Sequence, residues 1–277
     1  MSLNRPSRRA VIGSAVLGAV GITVGAAADP YVFAVANDDP GRDRDIGYAA
    51  APEGAALRAG KHEVVWSVPT TAPLVAFTFD DGPHPDYTPQ VLAALQQARV
   101  TATFNVMGVQ AQRHQALLAE VVAAGHEIGN HTHTHADLTT LGRARTRTEI
   151  RDTQDRLQQL VQRPVRLFRP PRGELTGFGL RAAAELELDV VMWSLDRGGP
   201  GVGTSQQVVQ HIAQHVRRGD IVALHDGLGH AGFRPKSATA QFLAHRRAVE
   251  VRALPRVLAL VAASGLQVVP VSTLLGH

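Results

Sequence analysis

An apolar run at residues 74–79 ends in Asp80-Asp81-Gly82-Pro83, so two adjacent carboxylates sit in a tight turn at the end of an expected buried strand. About fifty residues on, His131-Thr132-His133-Thr134-His135 offers imidazoles four residues apart. One carboxylate and two imidazoles form a three-ligand set that leaves a divalent cation's fourth position open for water. The second carboxylate is then free to take a proton from that water. Metal-assisted hydrolysis is the chemistry this pairing suggests.

Between and beyond these segments, short β-branched runs alternate with helical patterns. Strands are expected at 74–79, 101–106, 127–130, 165–169, 190–194, 221–224 and 267–271. Thr88-Pro89 reads as the N-cap and N1 pair of a helix, and further helices are expected at 111–124, 143–162, 177–186, 205–216 and 251–263. The polar stretch 226–250 reads as a long loop. Strands alternating with helices imply a parallel sheet with right-handed crossovers. Seven such units in about 200 residues point to a closed or nearly closed barrel. Asp80, Asp81, His131, Arg169, Asp196 and His225 all fall at or just past predicted strand ends. In an α/β barrel that face carries the chemistry.

The chain has 277 residues, enough to bury a large core. Arg5, Arg8 and Arg9 precede an uncharged stretch, 11–28, that ends Ala26-Ala27-Ala28. This pattern predicts a signal peptide over residues 1–28, and Ser7-Arg8-Arg9-Ala10-Val11-Ile12 fits a twin-arginine address. Gly13, Gly18, Gly21 and Gly25 make the stretch weakly hydrophobic. Cleavage after Ala28 is therefore expected, with an uncleaved N-terminal membrane anchor as the alternative. Cleavage would leave 25 basic and 24 acidic residues, a net charge of +1. No nucleic-acid partner is indicated, and no stable membrane insertion is expected after cleavage. The absence of cysteine excludes disulfides, thiolate ligands and a cysteine nucleophile. Residues 29–61, rich in Ala, Gly, Asp and Pro, read as a linker or lead-in, and residues 62–277 as the catalytic domain.

From about Trp66 to Leu275 the chain resembles the NodB-homology polysaccharide deacetylases, carbohydrate esterase family 4, through five short motifs in order. The resemblance implies a distorted (β/α)7 barrel of the polysaccharide deacetylase type. It assigns Asp80 as general base and Asp81, His131 and His135 as ligands of one divalent metal, with Zn²⁺ expected. His133 falls at a variable position and reads as solvated or structural. In Phe168-Arg169-Pro170-Pro171-Arg172-Gly173, Arg169 would hold Asp80, and its planar fork suits a bidentate grip. The peptide N–H near Arg172 would help bind an oxyanion. In Ile221-Val222-Ala223-Leu224-His225-Asp226, His225 would be the general acid, with Ala223 and Leu224 on the substrate side.

Two departures stand out against that family. The fourth motif normally carries an Asp-Trp pair, but Trp193-Ser194-Leu195-Asp196-Arg197-Gly198-Gly199-Pro200 puts Gly199 and Pro200 there. Either Asp196 or Asp226 then orients His225, or His225 works without a carboxylate partner. Ala223 also replaces the usual leucine, which implies an acyl pocket that is wider or rebuilt from elsewhere. His84 is expected to cap its turn. The loop bearing His230, Arg234, Lys236, Arg246 and Arg247 is either a solvated insertion or a lip for an anionic glycan.

The expected function is secreted, metal-dependent hydrolysis of N-acetyl groups on amino-sugar glycans, with an acetylated polysaccharide as partner. The alternatives are an O-deacetylase of the acetyl-xylan type, or a glycan-binding homologue with impaired turnover. Nothing in the sequence specifies an oligomeric state.

Overall fold

In the computed structural model, residues 63–199 and 201–276 are described. The expected signal peptide, the whole lead-in at 29–61, His62, Pro200 and His277 lie outside the described residues. Nine strands follow in chain order. They are β1 (Val64–Val65), β2 (Leu74–Asp80), β3 (Thr103–Val106), β4 (Glu127–Asn130), β5 (Leu167–Phe168), β6 (Asp189–Val191), β7 (Leu195–Asp196), β8 (Ile221–His225) and β9 (Gln267–Val269). The helices are α1 (Thr88–Ala98), α2 (Gly108–Arg113), α3 (Gln115–Ala123), α4 (Arg143–Val161), α5 (Gly177–Glu185), α6 (Ser205–His215), α7 (Ala238–Ala263) and α8 (Val271–Leu275). Among the described residues, no helix is long and apolar enough to cross a membrane.

The strands pair in the order β1-β6-β5-β4-β3-β2-β8-β7, all parallel, and β9 also pairs with β2. The sheet curls into a half-barrel with helices around it, the distorted α/β barrel expected from the alternation. β1 and β7 end the order, so the curl stays open between them. The sequence pattern misses both of these two-residue strands.

β2 organises the core. All of its residues except Leu74 are buried, because neighbours flank it in the sheet and helices cover it. Phe79 and Phe104 stack with ring centroids 5.2 Å apart. Side chains from α1, α3, α4, α6 and α7 close over them in one continuous apolar cluster. Truncating a side chain as buried as Phe77 would cost about 3–5 kcal/mol.

Three expectations need correction. The single helix at 111–124 is two, broken at His114, which has φ −125° and ψ 48°. Thr88 does not cap its own helix. Its hydroxyl donates to Asp226 Oδ2 at 2.6 Å and accepts from the His84 N–H at 2.7 Å. The long loop at 226–250 is a short 3-10 turn, Gly229–Phe233, followed by the first half of the 26-residue α7. Ser237 caps α7 by accepting from the Ala240 N–H. The buried face of α7 runs through Ala240, Arg247, Glu250, Val251, Leu254, Val257, Leu258 and Val261. Arg247 and Glu250 occupy core positions there, which breaks the apolar period that would have revealed the helix.

His126 is buried in this core, its ring centroid 5.2 Å from that of Phe104 and its Nδ1 accepting from the Ala102 N–H. Burial pushes its imidazole down to about 4. The folded state thus favours the neutral ring, while the unfolded chain takes up a proton below about 6.5. The stability this contributes is complete above that pH and is lost as pH falls toward 4. Urea unfolding at pH 7 and pH 4.5 should show the wild type losing on the order of 2 kcal/mol more than His126→Gln. Equal losses would contradict the assignment.

Candidate active site

Strand register brings the motifs together. Asp80 is the last residue of β2, directly opposite Asn105 of β3 and His225 of β8. Asn130 pairs with Phe168, so the residues that follow them, His131 and Arg169, are neighbours. His131 Nδ1 lies 2.8 Å from the Arg169 carbonyl oxygen, which it can meet only as a donor. Nε2 is then the free lone pair of a neutral ring. The His131–His135 segment is a turn with left-handed residues at Thr132 (φ 63°) and His135 (φ 57°), and its four-residue spacing is not helical. Thr132 Oγ1 accepts from the His135 N–H, and Glu149 of α4 takes both the N–H and the hydroxyl of Thr134.

Asp81 also has positive φ, 79°. Its Oδ1 lies 3.5 Å from His131 Nε2 and 3.2 Å from His135 Nε2. Ligand atoms about 2.0–2.2 Å from a tetrahedral Zn²⁺ stand about 3.3 Å apart, so these edges fit one ion. Asp81 Oδ1 and His135 Nδ1 are buried with no hydrogen-bond partner in the structure, and a cation held at this group would satisfy the former. Asp81, His131 and His135 are the one group of this kind among the described residues. An oxygen and two imidazole nitrogens suit Zn²⁺ well. Asp81 Oδ2 accepts from Arg247 at 3.1 Å, which leaves Oδ1 for the ion.

Asp80 is held differently. Its Oδ1 accepts from Asn105 at 2.7 Å and from Arg169 at 2.9 Å. No hydrogen bond among the described residues engages Oδ2. Burial raises the Asp80 carboxyl, but Arg169, His131, His225 and Asn105 more than offset it and keep it ionised. Asp81 lies well below the usual range, burial again being outweighed, here by His135, His131 and Arg247. Arg169, fully buried, is not bidentate on Asp80. Its Nε and second terminal nitrogen donate to the carbonyls of Val191 and Met192, and the remaining terminal nitrogen reaches Asp80 and Thr78. The fork is fixed by backbone, and one arm presents charge to the acid.

Glycines lock the two turns against each other. A Cβ on Gly82 would lie 2.1 Å from Asp226 Oδ2, and one on Gly227 would lie 2.2 Å from the Asp81 carbonyl oxygen. Backbone bonds tie them further, Asp226 N–H to the Asp80 carbonyl and Met107 N–H to the Gly82 carbonyl. Above them opens a cleft of about 630 Å³. The acids, His131, His135 and His225 line it together with Trp193, Ala223, Leu228, Leu243 and Arg247.

Residues 67–191 match the polysaccharide deacetylase family. A chitooligosaccharide deacetylase of Sinorhizobium fredii is 35% identical over 202 residues, covering 68% of this chain and 93% of the relative. A peptidoglycan-N-acetylglucosamine deacetylase of Bacillus cereus is 39% identical over 169 residues, covering 59% of this chain and 78% of the relative. The chain belongs to the polysaccharide deacetylase family. A solved peptidoglycan N-acetylglucosamine deacetylase, in complex with 4-naphthalen-1-yl-N-oxidanyl-benzamide, superimposes with a TM-score of 0.67. It is 26% identical and covers 78% of this chain and 94% of its own.

Several expected residues of this deacetylase-family site lie elsewhere. Neither Asp196 nor Asp226 hydrogen-bonds to His225. Asp196 lines the cleft, but its Oδ1 accepts from the Gly198 N–H in its own turn. Asp226 is buried under the acid turn. Burial, with Asp81 and Asp80 adding repulsion, pushes it up to about 7 against the Thr88 hydrogen bond. Leu224 faces the core, because side chains alternate along β8 and its neighbours Ala223 and His225 take the cleft side. Arg172 sits at the lip in a left-handed conformation (φ 54°), its guanidinium paired with Glu174. His84 stays on the turn before α1, its Nδ1 accepting from the Asp86 N–H.

The residues that sequence reasoning misses come mostly from α7 and the turn before it. Leu228, Leu243 and Trp193 add apolar lining to the cleft that Ala223 also faces. Glu250, with Arg197 and Arg247, fills the space beside His225. Of the basic residues in the segment expected to be a loop, His230 and Arg234 line the cleft, Arg247 is buried in the site, and Arg246 stacks over Phe242.

Calorimetric titration of chelator-treated protein with Zn²⁺ should give one site per chain and raise Tm. Changing an outer partner of a metal ligand costs about 10–100-fold in affinity, so Asp81→Asn should lose at least that much. Undiminished binding by Asp81→Asn would contradict the ligand set.

Proposed function

We propose that the chain is an exported, metal-dependent deacetylase that hydrolyses N-acetyl groups of amino-sugar glycans such as peptidoglycan, chitin-like polymers or exopolysaccharide. The observation that carries this reading is the split fate of two adjacent acids. Asp81 Oδ1 converges with two imidazoles, while Asp80 keeps a free oxygen beside them. The relatives named for action on peptidoglycan and chitooligosaccharide support the N-acetyl class.

Asp81, His131 and His135 would hold the ion, which supplies Lewis-acid chemistry: it acidifies a water and polarises the acetyl carbonyl. Asp80 Oδ2 receives the proton of the attacking water, and Arg169 and Asn105 keep Asp80 ionised and oriented for that transfer. The peptide N–H near Arg172, at the lip, is the expected donor to the tetrahedral oxygen. His225, across from Asp80, gives a proton to the departing nitrogen as the C–N bond breaks. The products are acetate and a free amine. Trp193, Ala223, Leu228 and Leu243 supply the apolar surroundings of the acetyl methyl. Export through the twin-arginine address around Arg8 and Arg9 would put the enzyme in the cell envelope or outside it, where such glycans lie.

Acetate release from N-acetylglucosamine oligomers, peptidoglycan and acetyl-xylan, with and without chelator, tests the reading. Release from the N-acetyl substrates should stop with chelator and return with Zn²⁺. Asp80→Asn should lower kcat by about 10²–10⁴-fold while Zn²⁺ binding persists. Release from acetyl-xylan alone would make it an O-deacetylase. Glycan binding with no release from any substrate would make it a binding protein.

A further inference from the structure

His225 has a partner that no motif supplies. Glu250 Oε2 accepts the His225 backbone N–H at 2.9 Å and lies 3.1 Å from His225 Nδ1. A single carboxylate oxygen therefore grips both ends of one residue, its main chain and its ring. Since a carboxylate only accepts, Nδ1 carries the proton and Nε2 is the outward nitrogen. Glu250 comes from the second turn beyond Leu243 on α7, an element that packs against β8 rather than a strand of the sheet.

Glu250 is buried, with a side chain 1% exposed, and two guanidiniums surround its other oxygen. Arg247 donates to Oε1 at 3.1 Å. Arg197 Nε stands 3.2 Å from Oε1 but out of line for a hydrogen bond, so it contributes charge. Its terminal nitrogen is anchored on the Val202 carbonyl. Arg247 is anchored in turn on the Gly227 carbonyl and reaches Asp81 Oδ2. Burial favours the neutral acid, but His225, Arg247 and Arg197 outweigh it and keep the carboxyl below its usual range.

We propose that Glu250 is the positioning residue of the acid arm. It holds His225 with Nδ1–H inward, so that the imidazolium presents Nε2–H to the leaving group and is left as the neutral Nδ1–H ring once that proton is given, and Arg247 fastens Glu250 to the metal ligand Asp81. One helix thereby sets the acid and the ligand together. Glu250 touches no substrate in this scheme and acts only through His225. It fills the orienting task left open by Gly199 at the fourth motif. The inference rests on the deacetylase reading above, because it presumes that His225 protonates a leaving group.

The test exploits what leaving groups need. An amide nitrogen or a sugar alkoxide cannot leave without a proton, whereas 4-nitrophenolate can. In the zinc-loaded full chain, Glu250→Gln should lower kcat on N-acetylglucosamine oligomers by about a hundredfold. Turnover of 4-nitrophenyl acetate and the affinity for Zn²⁺ should change by less than about threefold. Adding Glu250→Gln to a His225→Ala background should cause no further loss on the oligomers. Equal losses on both substrates, or additive losses in the double variant, would overturn the proposal by showing a general structural role. If Glu250→Gln does not fold, nitrogen-15 NMR of the wild type decides. The neutral His225 ring should carry its proton on Nδ1, and a proton on Nε2 would overturn the proposal. A wild type that releases acetate only from acetyl-xylan would fail the N-acetyl reading alone. The same comparison, with acetyl-xylan as the substrate needing a proton, would still judge Glu250.

Discussion

Two carboxylates side by side at the end of a buried strand are the constraint from which the rest of this structure follows. Neither Asp80 nor Asp81 reaches bulk water freely, and two uncompensated buried charges would cost several kcal/mol each. The fold gives each acid its own counter-charge from a different direction. Arg169 serves Asp80 from just past β5, and Arg247 with the two imidazoles serves Asp81 from α7 and the loop after β4. This division is also the chemistry, since an acid bound through Oδ1 to an ion and an acid with a free oxygen can do different things in one reaction.

The positive charges are positioned as rigidly as the acids. Arg169, Arg197 and Arg247 each spend at least one donor on a backbone carbonyl, so their charge is placed by the main chain. Backbone anchoring limits how far the acids can drift when a substrate or an ion enters. It also explains why α7 tolerates charge on its buried face. Arg247 and Glu250 face each other, Asp81, Arg197 and His225, where a leucine would leave Asp81 and His225 without partners.

Much of the strand skeleton was legible because buried parallel strands read as short apolar runs, and the titratable residues punctuate their ends. Asp80, Asp81, His131, Arg169 and His225 could be nominated on that basis and do converge. The limits have physical causes. The first half of α7 reads as a polar loop because its site-facing positions hold charged residues, while the apolar second half reads as a helix. Asp226 is one candidate for orienting His225, yet successive side chains along the chain leaving β8 point to opposite faces, and Asp226 lies under the acid turn. The same alternation removes Leu224 from the cleft. Glu250 lies 25 residues from His225, and only packing of α7 over β8 brings them together. Its three-residue spacing from Arg247, on a helix whose later turns are plainly apolar, was the available clue.

X-ray absorption at the zinc edge, on the zinc-loaded wild type and on Asp80→Asn, tests the division of labour between the two acids most directly. The account predicts the same first shell in both, with two imidazole nitrogens and oxygen ligands at about 2.0–2.2 Å. A shell without imidazole, or the loss of an oxygen ligand when Asp80 alone is changed, would contradict it.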